Sequence, residues 1–192
     1  MKKVLVLTAH PDDLELACGG TVARFVDEGV EVTNLIVCSN VPHKKHVLDS
    51  AKVLGFNPLY LEHRDESITR EVVAEIEALI DISSYDLLIT HWKEDWHQDH
   101  RFCHDLGNSL RRKQPLNVWY MNAYPYCQKY TSFDANVFVD ITKYIEQKKN
   151  SILCYKNVPT KWAKDTEHLT AYRGAFIETQ HAEIFKADTL IV

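Results

Sequence analysis

The sequence predicts an α/β fold in which helices cover both faces of a mostly parallel sheet. Short apolar runs alternate with segments of helical periodicity along most of the chain, which is the pattern of parallel strands joined by helices. The first run, "VLVLT" at residues 4–8, is continuously apolar, as is typical of a strand buried on both faces of such a sheet. No internal repeat or Gly/Ser-rich linker divides the chain, so we expect one domain over residues 1–192.

Two kinds of sequence pattern predict the individual strands and helices. Short apolar runs rich in β-branched residues indicate strands at 4–8, 30–38, 58–62, 85–91, 117–121, 136–141 and 182–192, the last forming one strand or a pair. Apolar residues three and four apart indicate helices at 44–55 and 68–82. Further helices are predicted at 21–29, 100–112 and 142–155. Gly29 and Gly55 mark the expected ends of the first two helices.

The composition is that of a folded globular protein and argues against nucleic acids and anionic membranes as partners. Of 192 residues, 45% are hydrophobic and 26% are charged, proportions that are ordinary for a globular domain. The net charge of −5 argues against nucleic acids and anionic membranes as partners. No apolar stretch approaches the length of a transmembrane helix. The opening "MKKVLVLTA" is too short for a signal peptide, so we interpret it as the first strand.

The five cysteines give an expectation about cellular location. They are widely spaced, odd in number and contain no C-x-x-C pair. This usage is typical of reduced thiols and argues against a disulfide framework. We therefore expect a cytoplasmic protein.

Polar stretches follow three of the predicted strands. "AHPDDLELACGGT" at 9–21 follows the first, Ser39 and Asn40 follow the second, and "HWKEDWHQDH" at 91–100 follows a later one. Because ligands of open parallel sheets bind beyond the carboxyl ends of the strands, we expect these stretches to meet at one edge. H-P-D-D alone equally fits a turn followed by a helix cap, but "HQDH" at 97–100 favours a shared site.

The adjacent carboxylates Asp12 and Asp13 indicate a metal ion. Two carboxylates at the end of a buried strand are unfavourable unless a positive group lies beside them. A catalytic zinc ion, with three His or carboxylate ligands and one position for water, is such a group. His10, Asp13 and one histidine from 97–104 would bind it, and Asp12 would stay off the metal as general base. Spacing alone leaves the third ligand open, and the same donors suit non-haem Fe2+.

Three motifs resemble the LmbE-like (PIG-L) family of N-acetylglucosaminyl deacetylases. The stretch at 9–21 is similar to the family's A-H-P-D-D and G-G-T signature, "HQDH" to its H-x-D-H, and "RGAFIETQHAEIF" at 173–185 to its closing R-G and A-E-x-F. The motifs stand in the expected order across nearly the whole chain. The resemblance implies a Rossmann-like three-layer sandwich and a zinc-dependent hydrolase. Such an enzyme removes an N-acyl group, usually acetyl, from an amino sugar, so the implied partner is a small N-acetylated sugar or sugar conjugate.

The resemblance also assigns the metal ligands. It implies that His10, Asp13 and His100 bind zinc, and it selects His100 over His104, which spacing does not. This chain departs from the family at 42–46, "PHKKH", after the second strand. Many members have an Arg there that helps to hold the substrate, followed three residues later by a Glu. A lysine of this segment could replace the Arg, although we favour a solvated helix start.

The resemblance implies catalytic roles for three residues. Asp12 is the general base. His97 stabilises the oxyanion or protonates the leaving amine, and Asp99 orients His97.

Two other classes of function share these ligands. A non-catalytic zinc- or sugar-binding protein would keep the metal site but has no use for a carboxylate off the metal. A non-haem iron enzyme would require Fe2+ and oxygen. The presence of Asp12 favours hydrolysis over both.

Overall fold

The computed structural model describes residues 1–38, 43–61, 70–113, 115–125 and 133–189, so Ser39 and Asn40 lie outside the described residues. The strands in these ranges are β1 (Lys3–Thr8), β2 (Glu31–Ile36), β3 (Asn57–Tyr60), β4 (Leu87–His91), β5 (Asn117–Met121), β6 (Val137–Asp140) and β7 (Ala182–Thr189). The α-helices are α1 (Asp13–Asp27), α2 (Lys44–Leu54), α3 (Arg70–Leu79), α4 (Gln98–Leu110), α5 (Ile145–Ile152) and α6 (Lys161–Gly174).

The described strands form one sheet in the order β3-β2-β1-β4-β5-β7-β6. The pairs from β3 to β5 are parallel, whereas β7 runs antiparallel to both β5 and β6. The chain builds outwards from β1 to β3 and then crosses to β4 on the other side of β1. The strand order therefore reverses between β1 and β4, and open α/β sheets bind their ligands at such a point.

Helices pack on both faces of the sheet, as predicted. Val4 and Val6 of β1 lie in one buried apolar cluster with residues of α1, α2, α5 and α6. Leu5 and Leu7 lie in a second cluster with residues of α3 and α4. Successive side chains of a strand point to opposite faces, so β1 is buried on both sides. The prediction of a mostly parallel sheet between two helical layers is confirmed, while one domain over 1–192 stays a prediction.

The first helix begins at Asp13, earlier than predicted. The sequence predicts that the helix begins after Gly19 and Gly20, but both glycines lie inside α1. The interruption falls at Cys18, whose φ of −138° is not helical. Gly20 is required by packing, because a Cβ atom there would lie 2.6 Å from the side chain of Ile141.

A helix in the last third of the chain, α6, was not predicted. From Ala163 to Arg173 its buried positions recur every three or four residues, but all of its buried residues are small or polar: Ala163, Thr166, Thr170, Arg173 and Gly174. Hydrophobic periodicity does not detect a helix that packs through such residues. The helix predicted at 142–155 is also shorter than expected, since a 3₁₀ turn over Thr142–Tyr144 precedes α5.

Two further observations bear on the expected environment of the protein. The four cysteines that the structure describes are not joined by a disulfide. Among the described helices, none combines the length and the apolar character needed to span a bilayer. A cytoplasmic location stays a prediction.

A methyl group added at each of the two glycines should have opposite effects. Gly20→Ala is expected to lower the free energy of unfolding by about 1–3 kcal/mol, because its Cβ would overlap Ile141. Gly19→Ala is the matched control: its Cβ would lie 3.5 Å from the nearest side-chain atom, an ordinary contact. Alanine is favoured over glycine in helices by up to about 1 kcal/mol. Urea unfolding measures both variants, and equal stabilities would contradict the tight packing at Gly20.

Candidate active site

The site forms where the carboxyl ends of β1 and β4 lie side by side. The two strands pair in parallel, so the loop after β1, with His10 and Asp12, lies beside His91 at the end of β4. The backbone amide of Ala9 donates a hydrogen bond of 3.2 Å to His91 Nε2 and ties the two ends together. The second polar stretch then turns into α4, which has His97 as its N-cap residue.

Asp13 lies among the histidines of the site. Its Oδ2 atom is 3.6 Å from Nδ1 of His10, and its Oδ1 atom is 3.2 Å from Nε2 of His100. The backbone amide of His10 also donates to Asp13 Oδ2 over 2.7 Å and fixes the carboxylate. Asp13 is 4% exposed and His100 is fully buried. The structure thus brings together the three residues that the resemblance selects as metal ligands.

Two buried residues outside the predicted set belong to the same cluster. His91 places Nε2 3.2 Å from Asp13 Oδ2 and stacks its ring on His100 with 4.0 Å between centroids. Asp95 places Oδ2 2.9 Å from Nδ1 of His100. A carboxylate on the second ring nitrogen is the usual partner that orients a metal-binding histidine. Asp95 could have been predicted from this need of a metal-binding histidine for a carboxylate partner. His91 could not, because its contacts depend on strand pairing.

The contacts of Asp99 differ from the expectation. Its Oδ2 atom hydrogen-bonds Nε2 of His10 at 2.8 Å and is 3.8 Å from Nδ1 of His97. His97 is held by the backbone instead, since its Nδ1 accepts the amide of Asp99 over 3.3 Å. The side chain of an N-cap residue folds back onto amides of the first turn, which explains this geometry. Asp99 therefore orients His97 through its backbone and His10 through its carboxylate.

His104 does not take part in the cluster. Its Nδ1 atom lies 3.0 Å from the carbonyl oxygen of His91, and its Nε2 atom lies 3.0 Å from Nδ2 of Asn108. Both ring nitrogens are therefore used by hydrogen bonds within the fold. Geometry thus favours His100 over His104 independently of the resemblance.

The cluster has the composition and spacing of a metal site. Each of the sets His10–His97–His100 and Asp13–His91–His100 places its potential ligand atoms within 4.8 Å of one another. Ligand atoms of a tetrahedral zinc site are about 3.3 Å apart, close to the separations around Asp13. Histidine and carboxylate are the donors of catalytic zinc and of non-haem iron. The residues therefore fit a divalent transition-metal ion.

Burial and charge act in opposite directions on the groups of the cluster. Burial alone would raise the pKa of Asp13, but the charge of His100 and the hydrogen bonds with His10 and His100 hold this pKa well below its usual value. Burial would lower the pKa of His100, but interactions with Asp13 and Asp95 raise it to about 10. A similar balance, again with Asp13, raises the pKa of His10 to about 9. Positive charge beside Asp13 is thus favourable, whether an imidazolium or a metal ion supplies it.

Asp12 has a different environment from the adjacent Asp13. It precedes α1 but makes no side-chain capping hydrogen bond, so H-P-D-D is not a side-chain cap. Burial and the charge of Asp13 raise the pKa of Asp12 to about 6. Burial is also the main cause that lowers the pKa of His97. Both Asp12 and His97 line a cavity of about 260 Å³, together with His10, Asp13, His43 and Tyr155.

The "HKKH" segment at 43–46 lies partly in solvent and partly at this cavity. The side chain of Lys45 is 80% exposed and pairs with Asp49 at 2.5 Å, as a solvated helix start would. His43, in contrast, lines the cavity. The preferred interpretation of the segment therefore holds for Lys45 and fails for His43.

Comparison with known proteins matches the chain to a family model and to relatives that are named as deacetylases. The family model described as PIG-L: GlcNAc-PI de-N-acetylase matches residues 5–110, more than half of the chain. An uncharacterized deacetylase of Escherichia coli strain K12, YaiS, is 27% identical over 52% of this chain. A diacetylchitobiose deacetylase of Thermococcus kodakarensis is 23% identical over 95% of this chain and 82% of that protein. The chain spans 62% of the length of the Escherichia coli relative.

Solved structures share the fold over the whole chain. The conserved protein TT1542 from Thermus thermophilus matches with a TM-score of 0.84 and 22% identity, covering 100% of this chain and 97% of that one. GalB, the 4-carboxy-2-hydroxymuconate hydratase from Pseudomonas putida KT2440, matches with a TM-score of 0.84 and 14% identity over 100% and 98% of the two chains. These matches confirm the predicted fold. Because one of them is a hydratase, the fold alone does not determine the reaction.

Removing the Asp95 carboxylate should weaken metal binding without removing a ligand. Asp95→Ala is expected to lower the affinity for Zn2+ by about 10- to 100-fold, because His100 loses the acceptor that orients its ring. Glu94→Ala is the control, since this neighbouring carboxylate pairs with Lys93 outside the cluster. Competition with a chromophoric chelator measures both affinities. Equal affinities would show that the contact between Asp95 and His100 does not support the metal site.

Proposed function

The chain belongs to the PIG-L (GlcNAc-PI de-N-acetylase) family, and from this we propose that it is a zinc-dependent hydrolase that removes an N-acetyl or other N-acyl group from an amino sugar or sugar conjugate. The observation that carries the proposal is the different placement of two adjacent carboxylates. Both line the cavity, but Asp13 lies within a potential ligand set, whereas Asp12 belongs to neither set. A protein that only binds a metal needs the first carboxylate and not the second.

His10, Asp13 and His100 are the proposed ligands. When bound, the ion would polarise the amide carbonyl and lower the pKa of a water molecule at its open position. His10 is preferred over His91 because it lines the cavity where substrate would enter. The His91 nitrogen nearest Asp13 already accepts the amide of Ala9, so its lone pair is engaged.

The residues around the ion divide the proton transfers. Asp12 would accept the proton of the attacking water, since it lies at the cavity beside the ligands. His97, which lines the same cavity, would stabilise the oxyanion or donate a proton to the leaving amine. Asp99 would keep both His10 and His97 oriented through the contacts of its carboxylate and its amide. The products would be the free amine and the carboxylate of the acyl group.

The size of the cavity agrees with a small acylated unit as substrate. Its volume of about 260 Å³ is below the range of roughly 300–1,000 Å³ that is common for drug-sized ligands. One N-acylated sugar unit is of this order, and the rest of a conjugate would lie outside. A diacetylchitobiose deacetylase is among the relatives, which supports a sugar of this kind.

Metal analysis combined with a free-amine assay tests the proposal. The purified protein is expected to contain about one zinc ion per chain and to release amine from a panel of N-acetylated sugars. Asp12→Asn should keep the ion and lose roughly 100- to 10,000-fold in kcat, because it removes the base and not a ligand. Asp49→Asn, an exposed carboxylate paired with Lys45, is the control and should behave as wild type.

The other arms of this experiment separate the alternative functions. His100→Ala should lose the metal. A wild-type protein that holds no metal and takes up none from added Zn2+ would refute the site. Bound zinc without amine release from any sugar would favour a non-catalytic binding protein. Activity that requires Fe2+ and oxygen would favour the iron enzyme.

A further inference from the structure

A buried ion pair lies against the interruption in α1. Lys148 of α5 and Glu183 of β7 have side chains that are 1% and 0% exposed, and the ammonium nitrogen lies 2.6 Å from Glu183 Oε1. Burying such a pair is often no more stabilising than apolar residues of similar volume would be. Core stability alone therefore does not account for it.

Lys148 makes its other hydrogen bonds to the backbone of the first turn of α1. Its Nζ atom donates to the carbonyl oxygens of Glu15 at 2.8 Å and of Leu16 at 3.0 Å. Both carbonyls precede the non-helical residue Cys18. The stem of Lys148 reaches them past Gly19, where a Cβ would lie 3.5 Å from Lys148 Cγ.

Glu183 makes the matching hydrogen bonds on the other side of Cys18. Its two carboxylate oxygens accept the backbone amides of Gly20 at 3.0 Å and Thr21 at 2.7 Å. In a regular helix the carbonyl of Leu16 would accept the amide of Gly20. Here the carbonyl receives a hydrogen bond from a lysine and the amide donates to a glutamate, and the two side chains bind each other.

The ion pair therefore connects the two parts of α1 that Cys18 separates. The first part begins at Asp13 and follows directly on Asp12. We infer that Lys148 and Glu183 are positioning residues: they fix the direction of this first turn and so place Asp12 and Asp13 relative to the cavity. This inference rests on the proposed function, because it concerns the same two carboxylates.

Kinetics of charge-neutral variants test the inference. Lys148→Met and Glu183→Gln are expected to lower kcat per zinc-loaded molecule by about tenfold or more, with KM within about twofold, because small misplacements of catalytic groups are costly in rate. Lys149→Met is the matched control on the same helix, since Lys149 pairs with Glu146 and Glu167 at the surface. It should keep the wild-type kcat.

A second comparison separates positioning from stability. Ile152→Val shortens a buried side chain of α5 that, being aliphatic, makes no hydrogen bond to α1. This variant should lower the Tm but not kcat. If Lys148→Met also keeps the wild-type kcat, the pair is only part of the core and the inference is overturned. If a single variant does not fold, Lys148→Met/Glu183→Gln removes both charges and is judged by the same criterion.

Hydrogen exchange distinguishes a failure of this inference from a failure of the proposed function. Glu183→Gln should speed exchange of the Gly20 and Thr21 amides selectively. If wild type releases no amine, the hydrolase proposal fails, and this readout with Zn2+ affinity still decides the inference. Faster exchange together with weaker Zn2+ binding would support it. In the absence of amine release, unchanged exchange or unchanged Zn2+ affinity would overturn it.

Discussion

The burial of the Asp13 carboxylate is the constraint on which the site depends. A carboxylate that is 4% exposed is stable only when positive or hydrogen-bonding groups surround it. His10 and His100 do so, and Asp95 in turn accepts a hydrogen bond from His100, so negative and positive groups alternate through the cluster. These groups come from the loop after β1, the loop after β4 and the start of α4. The parallel pairing of β1 with β4, where the strand order reverses, is what brings the three elements to one point.

The first helix serves both this site and the core. Its first turn follows Asp12 and carries Asp13, while its later turns bury apolar side chains against the sheet. The interruption at Cys18 allows the two parts to take different directions, but it also leaves buried backbone groups that need partners. Lys148 and Glu183 supply them. The glutamate of the closing A-E-x-F motif thus has a structural explanation, although it is far from the first motif in the sequence.

Whether the sequence predicts a structural feature depends on the kind of interaction that forms that feature. The strand β1, which is a continuous apolar run, and the helix α4 were predicted to within a few residues. The helix α6 was missed because it packs through small and polar side chains. The proposed ligands His10, Asp13 and His100 could be found from motifs that resemble those of the family, although spacing alone leaves the third one open. His91 and the partners of Asp99 could not, because their contacts are created by strand pairing and by the capping geometry of α4.

The two adjacent carboxylates can differ because of helix geometry. Successive residues at the start of a helix point about 100° apart, so Asp13 can reach the histidine cluster while Asp12 stays out of it, although both line the cavity. One carboxylate could not serve both purposes, since a ligand must stay ionised among cations whereas a base must accept a proton. A hydratase shares the same fold at 14% identity, so the sheet and its crossover do not select the bond that is broken. The reaction must instead be decided by groups beside the proposed ligands, and Asp12, His43, His97, Tyr155 and Asn157 are among those that line the cavity.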